Sequence, residues 1–235
     1  MLPRVLAEKK GPPKLAPKVL LIAVAGGSGS GKTWLAWQLR CRLRTHAAIL
    51  SLDDFYRDLA HLPLQERAKR NFDAPGAIDW PLLRSCLEAI RRGEPVWLPC
   101  YDFSTHTRRP RPRRWRPRRI VLIEGLWPWW RREMKPLYAL KVFRAGPESV
   151  RFARRFQRDV EERARTSESV QTQWKKQVQP MYARYVRPQL RSADVTLPHD
   201  LPLWRLERLE RKIRRLAGLG FASEASLTRK RAMRG

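Results

Sequence analysis

Residues 26–33 read GGSGSGKT, and their spacing fits the pattern G-x-x-x-x-G-K-[ST]. Glycines in such a loop let backbone N–H groups approach phosphate oxygens, and a following helix adds the positive end of its dipole. The Lys32 ammonium is expected to reach the outer phosphates of a nucleotide, and the Thr33 hydroxyl to bind Mg²⁺. The predicted cofactor-binding residues of this loop are Gly26, Gly27, Ser28, Gly29, Ser30, Gly31, Lys32 and Thr33.

The loop lies between a predicted strand and a predicted helix, which is the context that the motif requires. Residues 19–25 are apolar and rich in Val, Ile and Leu, as in a buried parallel strand. Leu35, Leu39 and Leu43 recur every four residues and predict a helix over residues 32–46. A flexible glycine turn without a ligand is the alternative, and the match of both spacing and context argues against it.

Further strands and helices alternate along the chain. Strands are predicted at residues 47–52, 95–103, 107–115, 120–123, 139–143 and 194–197. Helices are predicted at residues 80–92, 147–163, 167–187 and 201–216. Asp79 is the expected N-cap and Gly93 the expected end of the first of these helices, and Pro180 is expected to break or kink the third. The apolar face of the last helix is predicted to hold Leu203, Leu206, Leu209, Ile213 and Leu216. This alternation predicts an α/β fold, a P-loop NTPase-type parallel sheet flanked by helices, with a small β-hairpin insertion.

Acidic residues follow two of the predicted strands. Asp53 comes directly after the strand at residues 47–52, and Glu124 directly after the strand at residues 120–123. The carboxyl ends of parallel strands share one edge of the sheet, where ligands of such folds bind. We therefore expect the two carboxylates to converge with the glycine-rich loop.

The formal net charge is +28, which attracts polyanions and makes nucleic-acid binding a second class of function to weigh. The basic residues cluster at residues 108–119, 151–165, 205–215 and 228–235. A biased genome composition is the other explanation for the excess of arginine over lysine.

Composition also indicates where the protein resides. No apolar run approaches the roughly 20 residues of a membrane span, so no membrane partner is expected. Residues 1–17 are basic and interrupted by prolines, and they lack the apolar region of a secretory signal, which predicts a flexible tail. Cys41, Cys86 and Cys100 match neither a disulfide framework nor a zinc site. These features favour a cytoplasmic protein.

Seven segments occur in order along the chain: GGSGSGKT, LSLDDFYRD, NFDAPGAIDW, PCYDFSTHTR, VLIEG, RRFQRDVEERARTSESV and QPMYARYVRPQLRSADVTLP. In this order they resemble the motifs of the uridine kinase (uridine/cytidine kinase) family, over residues 19–198. The resemblance implies a P-loop kinase domain at residues 18–200, with a helical arginine lid at about residues 147–166. Residues 1–17 would then be a basic tail, and residues 201–235 a C-terminal amphipathic helix with a second basic tail.

The resemblance implies a kinase that uses ATP or GTP with Mg²⁺. It would transfer the γ-phosphate to the 5′-hydroxyl of uridine or cytidine, giving UMP or CMP in pyrimidine salvage. Asp53 matches the aspartate that acts as general base on this hydroxyl, and Asp54 is a rival for the role. The implied catalytic residues are Asp53, Lys32 and Arg158, and the implied metal-binding residues are Thr33, Asp53 and Glu124.

A nucleoside pocket is implied in the same way. Its residues would be Tyr56, Phe72, Asp73, Tyr101, His106, Arg155, Arg158 and Gln173. Asp73 would accept hydrogen bonds from the ribose hydroxyls and so select against deoxyribose, because a buried carboxylate without a partner is costly. Arg163 and Arg165 of the lid would bind the nucleotide phosphates, which guanidinium groups suit.

The chain departs from the family pattern at several positions. Ala74 stands where the family commonly has histidine, Ala145 where it has an acidic residue, and Ala164 where the lid has glycine. These departures leave open another small alcohol as acceptor, such as nicotinamide riboside or a pantothenate-like compound. An RNA-binding protein on a kinase scaffold is the other alternative. The resemblance also implies a homo-oligomer. Trp127, Trp129 and Trp130 follow a predicted strand and could form its subunit contact, and the high positive charge allows nonspecific binding of nucleic acid.

Overall fold

The computed structural model describes residues 19–162 and 165–220. The predicted tails at residues 1–17 and 221–235, together with Arg163 and Ala164, lie outside the described residues. The strands are β1 (Leu20–Gly26), β2 (Ala47–Ser51), β3 (Val96–Leu98), β4 (Tyr101–Asp102), β5 (Thr107–Arg108), β6 (Arg113–Trp115), β7 (Ile120–Gly125), β8 (Leu140–Arg144) and β9 (Val195–Leu197). The α-helices are α1 (Lys32–Leu43), α2 (Leu64–Ala68), α3 (Trp80–Arg91), α4 (Glu148–Glu161), α5 (Ser167–Gln173), α6 (Gln179–Met181) and α7 (Leu203–Leu216).

The central sheet has five parallel strands in the order β2-β7-β1-β8-β9. β7 is buried along its whole length because helices cover both faces of the sheet. Alternate residues of β1 belong to two separate hydrophobic cores, one on each face. The predicted α/β fold with a parallel, helix-flanked sheet is confirmed.

The face covered by α1 and α7 contains the predicted stripe of Leu35, Leu39 and Leu43, all fully buried. In α7, the central residues of the predicted apolar face are buried in the same core. Its two outermost members are not: Leu203 is 60% exposed and Leu216 is 45% exposed. That part of the prediction was wrong: the core-facing side of α7 includes Leu206, Leu209 and Ile213 and continues to Ala217 rather than to Leu216.

The ends of α3 follow the predicted pattern. The Leu82 backbone N–H donates to Asp79 Oδ1 at 3.2 Å, so Asp79 is the N-cap. Gly93 lies just past the helix with a φ of 81°, a left-handed conformation that glycine adopts without strain.

The predicted hairpin of residues 95–103 with 107–115 is divided into two small ladders. β3 pairs with β6 and β4 pairs with β5, both antiparallel. Pro99 separates the strands on one side, and Pro110 and Pro112 on the other. Proline has no N–H to donate, so the ladder cannot continue through these positions.

The helix does not break at Pro180, and the predicted kink there stays a prediction. The backbone is helical on both sides, with φ and ψ of −61° and −49° at Val178 and of −59° and −50° at Tyr182. π-helical turns at Trp174–Val178 and Tyr182–Val186 flank the proline. A widened turn accommodates the missing N–H and the pyrrolidine ring without breaking the helix.

Trp127 and Trp129 are fully buried in the core that also contains α3. Trp129 donates its indole N–H to the Gln189 carbonyl oxygen at 3.2 Å. The predicted role of these two residues in a subunit contact was therefore wrong, whereas Trp130 is partly buried and its role in such a contact stays a prediction. Among residues 19–162 and 165–220, no helix has both the length and the apolar character needed to cross a bilayer.

Candidate active site

The glycine-rich loop connects β1 to α1 and has the tight backbone that its glycines permit. Gly29 has a φ of +75° and Gly31 a φ of +85°. A Cβ atom on Gly29 would lie 2.1 Å from the Arg151 carbonyl oxygen, so the position excludes any larger residue. The loop thus keeps its backbone N–H groups at the N-terminus of α1, the geometry that favours phosphate oxygens.

Two buried arginines support the loop from the far side. Arg144 donates from Nη2 to the His199 carbonyl oxygen at 2.9 Å and from Nε to the Ser30 carbonyl oxygen at 3.4 Å. Arg151 of α4 stacks on the Tyr182 ring at 3.8 Å and donates to Gln179 Oε1 at 3.1 Å. α4 is therefore fixed against the loop rather than free in solvent at this end.

The carboxyl ends of β2 and β7 bring polar groups to the loop, as the strand order predicts. Thr33 Oγ1 donates to Glu124 Oε2 at 3.0 Å, and Ser51 Oγ donates to Glu124 Oε1 at 3.0 Å. The Asp53 backbone N–H donates to Ser51 Oγ at 3.3 Å. These hydrogen bonds connect the helix that follows the loop to both strand ends.

Asp53 has an unusual electrostatic environment. Burial and the neighbouring Glu124 carboxylate raise its pKa from 3.8 to about 6, against the opposing effect of Lys32. Asp54, the rival base, also has a pKa raised by burial. Of the two aspartates, only Asp53 lines the cavity described below. A carboxylate with a pKa near the working pH is suited to accept a proton.

These groups fit a Mg²⁺ ion held together with phosphates. The described residues hold no cluster of three or more His, Cys, Asp or Glu side chains that could form a complete metal cage. Mg²⁺ commonly binds through one or two carboxylates plus phosphate oxygens and water. Repulsion between Asp53 and Glu124 raises the pKa of Asp53, and a nearby cation would reduce this repulsion.

A cavity of about 630 Å³ opens beside the loop. The predicted residues that line it are Ser28, Lys32, Asp53, Tyr56, Phe72, Asp73, Tyr101, His106, Arg155, Arg158, Arg165 and Gln173. Residues that sequence reasoning missed also line it: Arg70, Phe103, Ser104 and Leu126. Phe103 lies within the quoted YDF motif, so its signal was present in the sequence.

One wall of the cavity is aromatic. The Tyr56 ring lies 5.2 Å from both Phe72 and Tyr101, in edge-to-face contacts. His106, with a φ of +54°, stacks its ring on Phe72 at 4.8 Å. Burial lowers the pKa of His106 and raises that of Tyr101 to about 12, which keeps both groups neutral at physiological pH. A neutral, flat wall of this kind suits a planar ligand.

Arg155 is the polar centre of the opposite wall. Its Nη1 donates to Ser28 Oγ at 3.1 Å and to Asp73 Oδ1 at 3.2 Å. Its Nη2 donates to Gln173 Oε1 at 3.0 Å, and its Nε lies 3.2 Å from Asp159 Oδ2. One buried guanidinium thereby joins the loop, helix α4 of the predicted lid and the predicted ribose-binding carboxylate.

The other lid arginines surround the same buried acid. Arg158 Nη2 lies 2.8 Å from Asp159 Oδ1, and Arg165 Nη1 lies 3.6 Å from Asp159 Oδ2. Arg165 also hydrogen-bonds Gln173. Sequence reasoning missed Asp159, although it follows Arg155 by four residues and so shares its helical face. Arg163 lies outside the described residues.

Comparison with known proteins gives matches over most of the chain. A model of the phosphoribulokinase / uridine kinase family matches residues 21–201. A uridine kinase of Deinococcus deserti is 42% identical over 180 residues, which make up 76% of this chain and 87% of that protein. A uridine kinase of Chloroflexus aurantiacus is 42% identical over 180 residues, 76% of this chain and 86% of that protein. The solved phosphoribulokinase of Rhodobacter spheroides shares the fold, with a TM-score of 0.55 at 15% identity over 77% of this chain and 70% of that chain.

Proposed function

Because the chain belongs to the phosphoribulokinase / uridine kinase family, we propose that it transfers the γ-phosphate of ATP or GTP to the 5′-hydroxyl of uridine or cytidine. The observation that carries the proposal is one cavity that contains both Asp53, next to the glycine-rich loop, and Asp73, opposite an aromatic wall. A nucleoside has a matching distribution of groups: a reactive hydroxyl, a pair of ribose hydroxyls and a flat base.

Each residue then has a physical role. Asp53 accepts the proton of the attacking hydroxyl, and its raised pKa makes it a stronger base than an ordinary aspartate. Lys32 and Arg158 stabilise the charge on the transferred phosphoryl group. Asp73 and Arg155 hold the ribose hydroxyls, one accepting and the other donating hydrogen bonds. Thr33, Asp53 and Glu124 would hold Mg²⁺, which would supply charge neutralisation for the phosphates.

The pH dependence of turnover should report the Asp53 carboxyl. Only the ionised form accepts a proton, so kcat/KM for the nucleoside is expected to fall at acid pH. The midpoint should lie between about 6, the Asp53 pKa without metal, and the ordinary 3.8, because bound Mg²⁺ offsets the repulsion from Glu124. An ordinary aspartate, with a pKa of 3.8, would keep activity constant down to a far lower pH. The measurement is initial rate against pH at fixed Mg-ATP. A profile that stays flat from neutral pH down to 3.8, the ordinary aspartate value, would show that the base is another group.

The acceptor is tested by a substrate panel. ADP release from Mg-ATP would be measured with uridine, cytidine, their 2′-deoxy forms, adenosine, nicotinamide riboside, pantothenate and no acceptor. Turnover confined to the pyrimidine ribonucleosides is the expected result. Preference for nicotinamide riboside or pantothenate would support the kinase reaction but contradict the proposed acceptor. Ala74 and Ala145, which depart from the family pattern, could cause such a change of acceptor.

A further inference from the structure

The hairpin insertion has a strongly basic segment that the proposed chemistry does not use. Residues 109–118 read RPRPRRWRPR, six arginines without one acidic residue, and we name them the arginine strip. None of these arginines lines the cavity that contains Asp53 and Asp73. A function for the strip therefore has to be sought outside the kinase site.

The arginine side chains of the strip are all exposed. Two of them face carboxylates. Burial raises the pKa of Asp54, and the charge of Arg113 opposes that rise. Hydrogen bonds from Ser104 lower the pKa of Asp102, and the charge of Arg109 lowers it further. No salt bridge within residues 19–162 and 165–220 involves the other four, which are Arg111, Arg114, Arg116 and Arg118. Their positive charge is available to an external anion.

An exposed aromatic ring lies beside these charges. Trp97 of β3 is directly opposite Arg114 of β6 in the antiparallel ladder, so both side chains project from the same face. Trp97 is 61% exposed, whereas its neighbours Val96 and Leu98 turn inward and are buried. An indole that is left on the surface next to free guanidinium groups can stack on a planar group of a ligand.

We propose that the arginine strip and Trp97 form a binding surface for single-stranded nucleic acid. The arginines contact successive phosphates, and Trp97 stacks on an unpaired base. Pro110, Pro112 and Pro117 restrict the backbone of the strip, which reduces the entropy lost on binding. A duplex keeps its bases stacked on each other, and an anionic lipid surface has no base, so neither uses the ring.

Fluorescence anisotropy with a labelled oligoadenylate of about 20 nucleotides tests this surface. The key variant combines Arg111→Gln, Arg114→Gln, Arg116→Gln and Arg118→Gln. Its matched control removes four exposed charges from α7 through Arg208→Gln, Arg211→Gln, Lys212→Gln and Arg215→Gln. Melting temperatures, measured without substrate, confirm that each variant is folded. The readout is independent of turnover, so it stands whether or not the chain phosphorylates uridine.

The strip variant is expected to bind at least about tenfold more weakly at low salt, while the α7 variant stays close to wild type. The slope of log affinity against log salt should also decrease by about 3, roughly 0.7 for each lost phosphate contact. Trp97→Ala should weaken binding about tenfold, and Trp97→Phe much less, because phenylalanine still stacks. Trp97→Ala also keeps the test decisive if the fourfold variant does not fold.

Several results would overturn the proposal. Equal losses in the strip and α7 variants would mean that only overall charge matters. Three other results would show that the indole has no role in binding. These are equal affinity for a duplex of the same length, tighter binding to phosphatidylserine vesicles, and no effect of Trp97→Ala. Displacement of the oligonucleotide by equimolar ATP would place it in the nucleotide site instead.

Discussion

Asp53→Asn is expected to reduce kcat by about a thousandfold while making the folded protein more stable at neutral pH. Asparagine keeps the shape of the side chain but cannot accept the proton of the attacking hydroxyl. The carboxylate that it replaces is partly buried and lies beside Glu124. Both features raise its pKa, which favours proton transfer at the expense of stability. The measurements are initial rates with Mg-ATP and uridine or cytidine, and urea unfolding without ligands.

The gain in stability has a defined pH dependence. The Asp53 carboxyl has a pKa of 3.8 in the unfolded chain and about 6 in the folded protein. As pH rises through this window, the unfolded chain ionises first, so the wild type loses stability and does not regain it above pH 6. The variant lacks this loss. At neutral pH its free energy of unfolding should be higher by about 2 kcal/mol. The whole pKa shift corresponds to about 3 kcal/mol, at about 1.4 kcal/mol per unit, and partial exposure of the residue reduces this.

Asp54→Asn is the matched control. Burial raises the pKa of this neighbour as well, so its removal should also stabilise the fold at neutral pH. Turnover should stay close to wild type because Asp54 does not line the cavity. Loss of turnover in Asp54→Asn with retention in Asp53→Asn would exchange the roles of the two residues.

The convergence of the site could be predicted from sequence because it depends on local rules. The spacing from Gly26 to Thr33 specifies a loop between a strand and a helix. Asp53 and Glu124 follow strands, and parallel strands present their carboxyl ends on one edge. No knowledge of side-chain packing is needed for either step, and the Thr33–Glu124 hydrogen bond is the direct result.

The details that sequence missed depend on non-local packing. A basic stretch on α4 is compatible with a solvated surface, yet Arg151 and Arg155 are buried because aromatic and acidic partners come from other segments. Leu203 satisfies the helical period but lies beyond the core that α7 covers. The π-helical turns around Pro180 likewise could not be predicted from a periodic pattern of residues in the sequence.

Arg155→Gln is expected to destabilise the fold by about 3 to 5 kcal/mol, the largest stability effect in the site. Arg155 and Asp73 form a buried ion pair, with side chains only 8% and 10% exposed. Removing the guanidinium leaves Asp73 without the cationic partner seen among the described residues. It also takes one arginine away from Asp159, which is completely buried. Urea unfolding at neutral pH measures the effect.

Asp73→Asn should cost less, about 1 to 2 kcal/mol, because Arg155 retains Asp159, Ser28 and Gln173 as partners. Its main effect should be on selectivity. Without the carboxylate, the preference for a ribonucleoside over its 2′-deoxy form should fall by at least about tenfold in kcat/KM. Unchanged sugar selectivity would show that Asp73 is only a structural partner of Arg155.

The double variant Asp73→Asn/Arg155→Gln separates a true ion pair from two independent contributions. If the two charges stabilise each other, the double variant should be less destabilised than the sum of the single variants, by about 1 to 3 kcal/mol. Arg158→Gln provides the control cycle with Asp73, since Arg158 bonds Asp159 and no direct contact links it to Asp73. Additive losses in the Asp73/Arg155 cycle would mean that Arg155 is held by Asp159, Ser28 and Gln173 without help from Asp73. Helix α4 would then be coupled to the loop but not to the sugar.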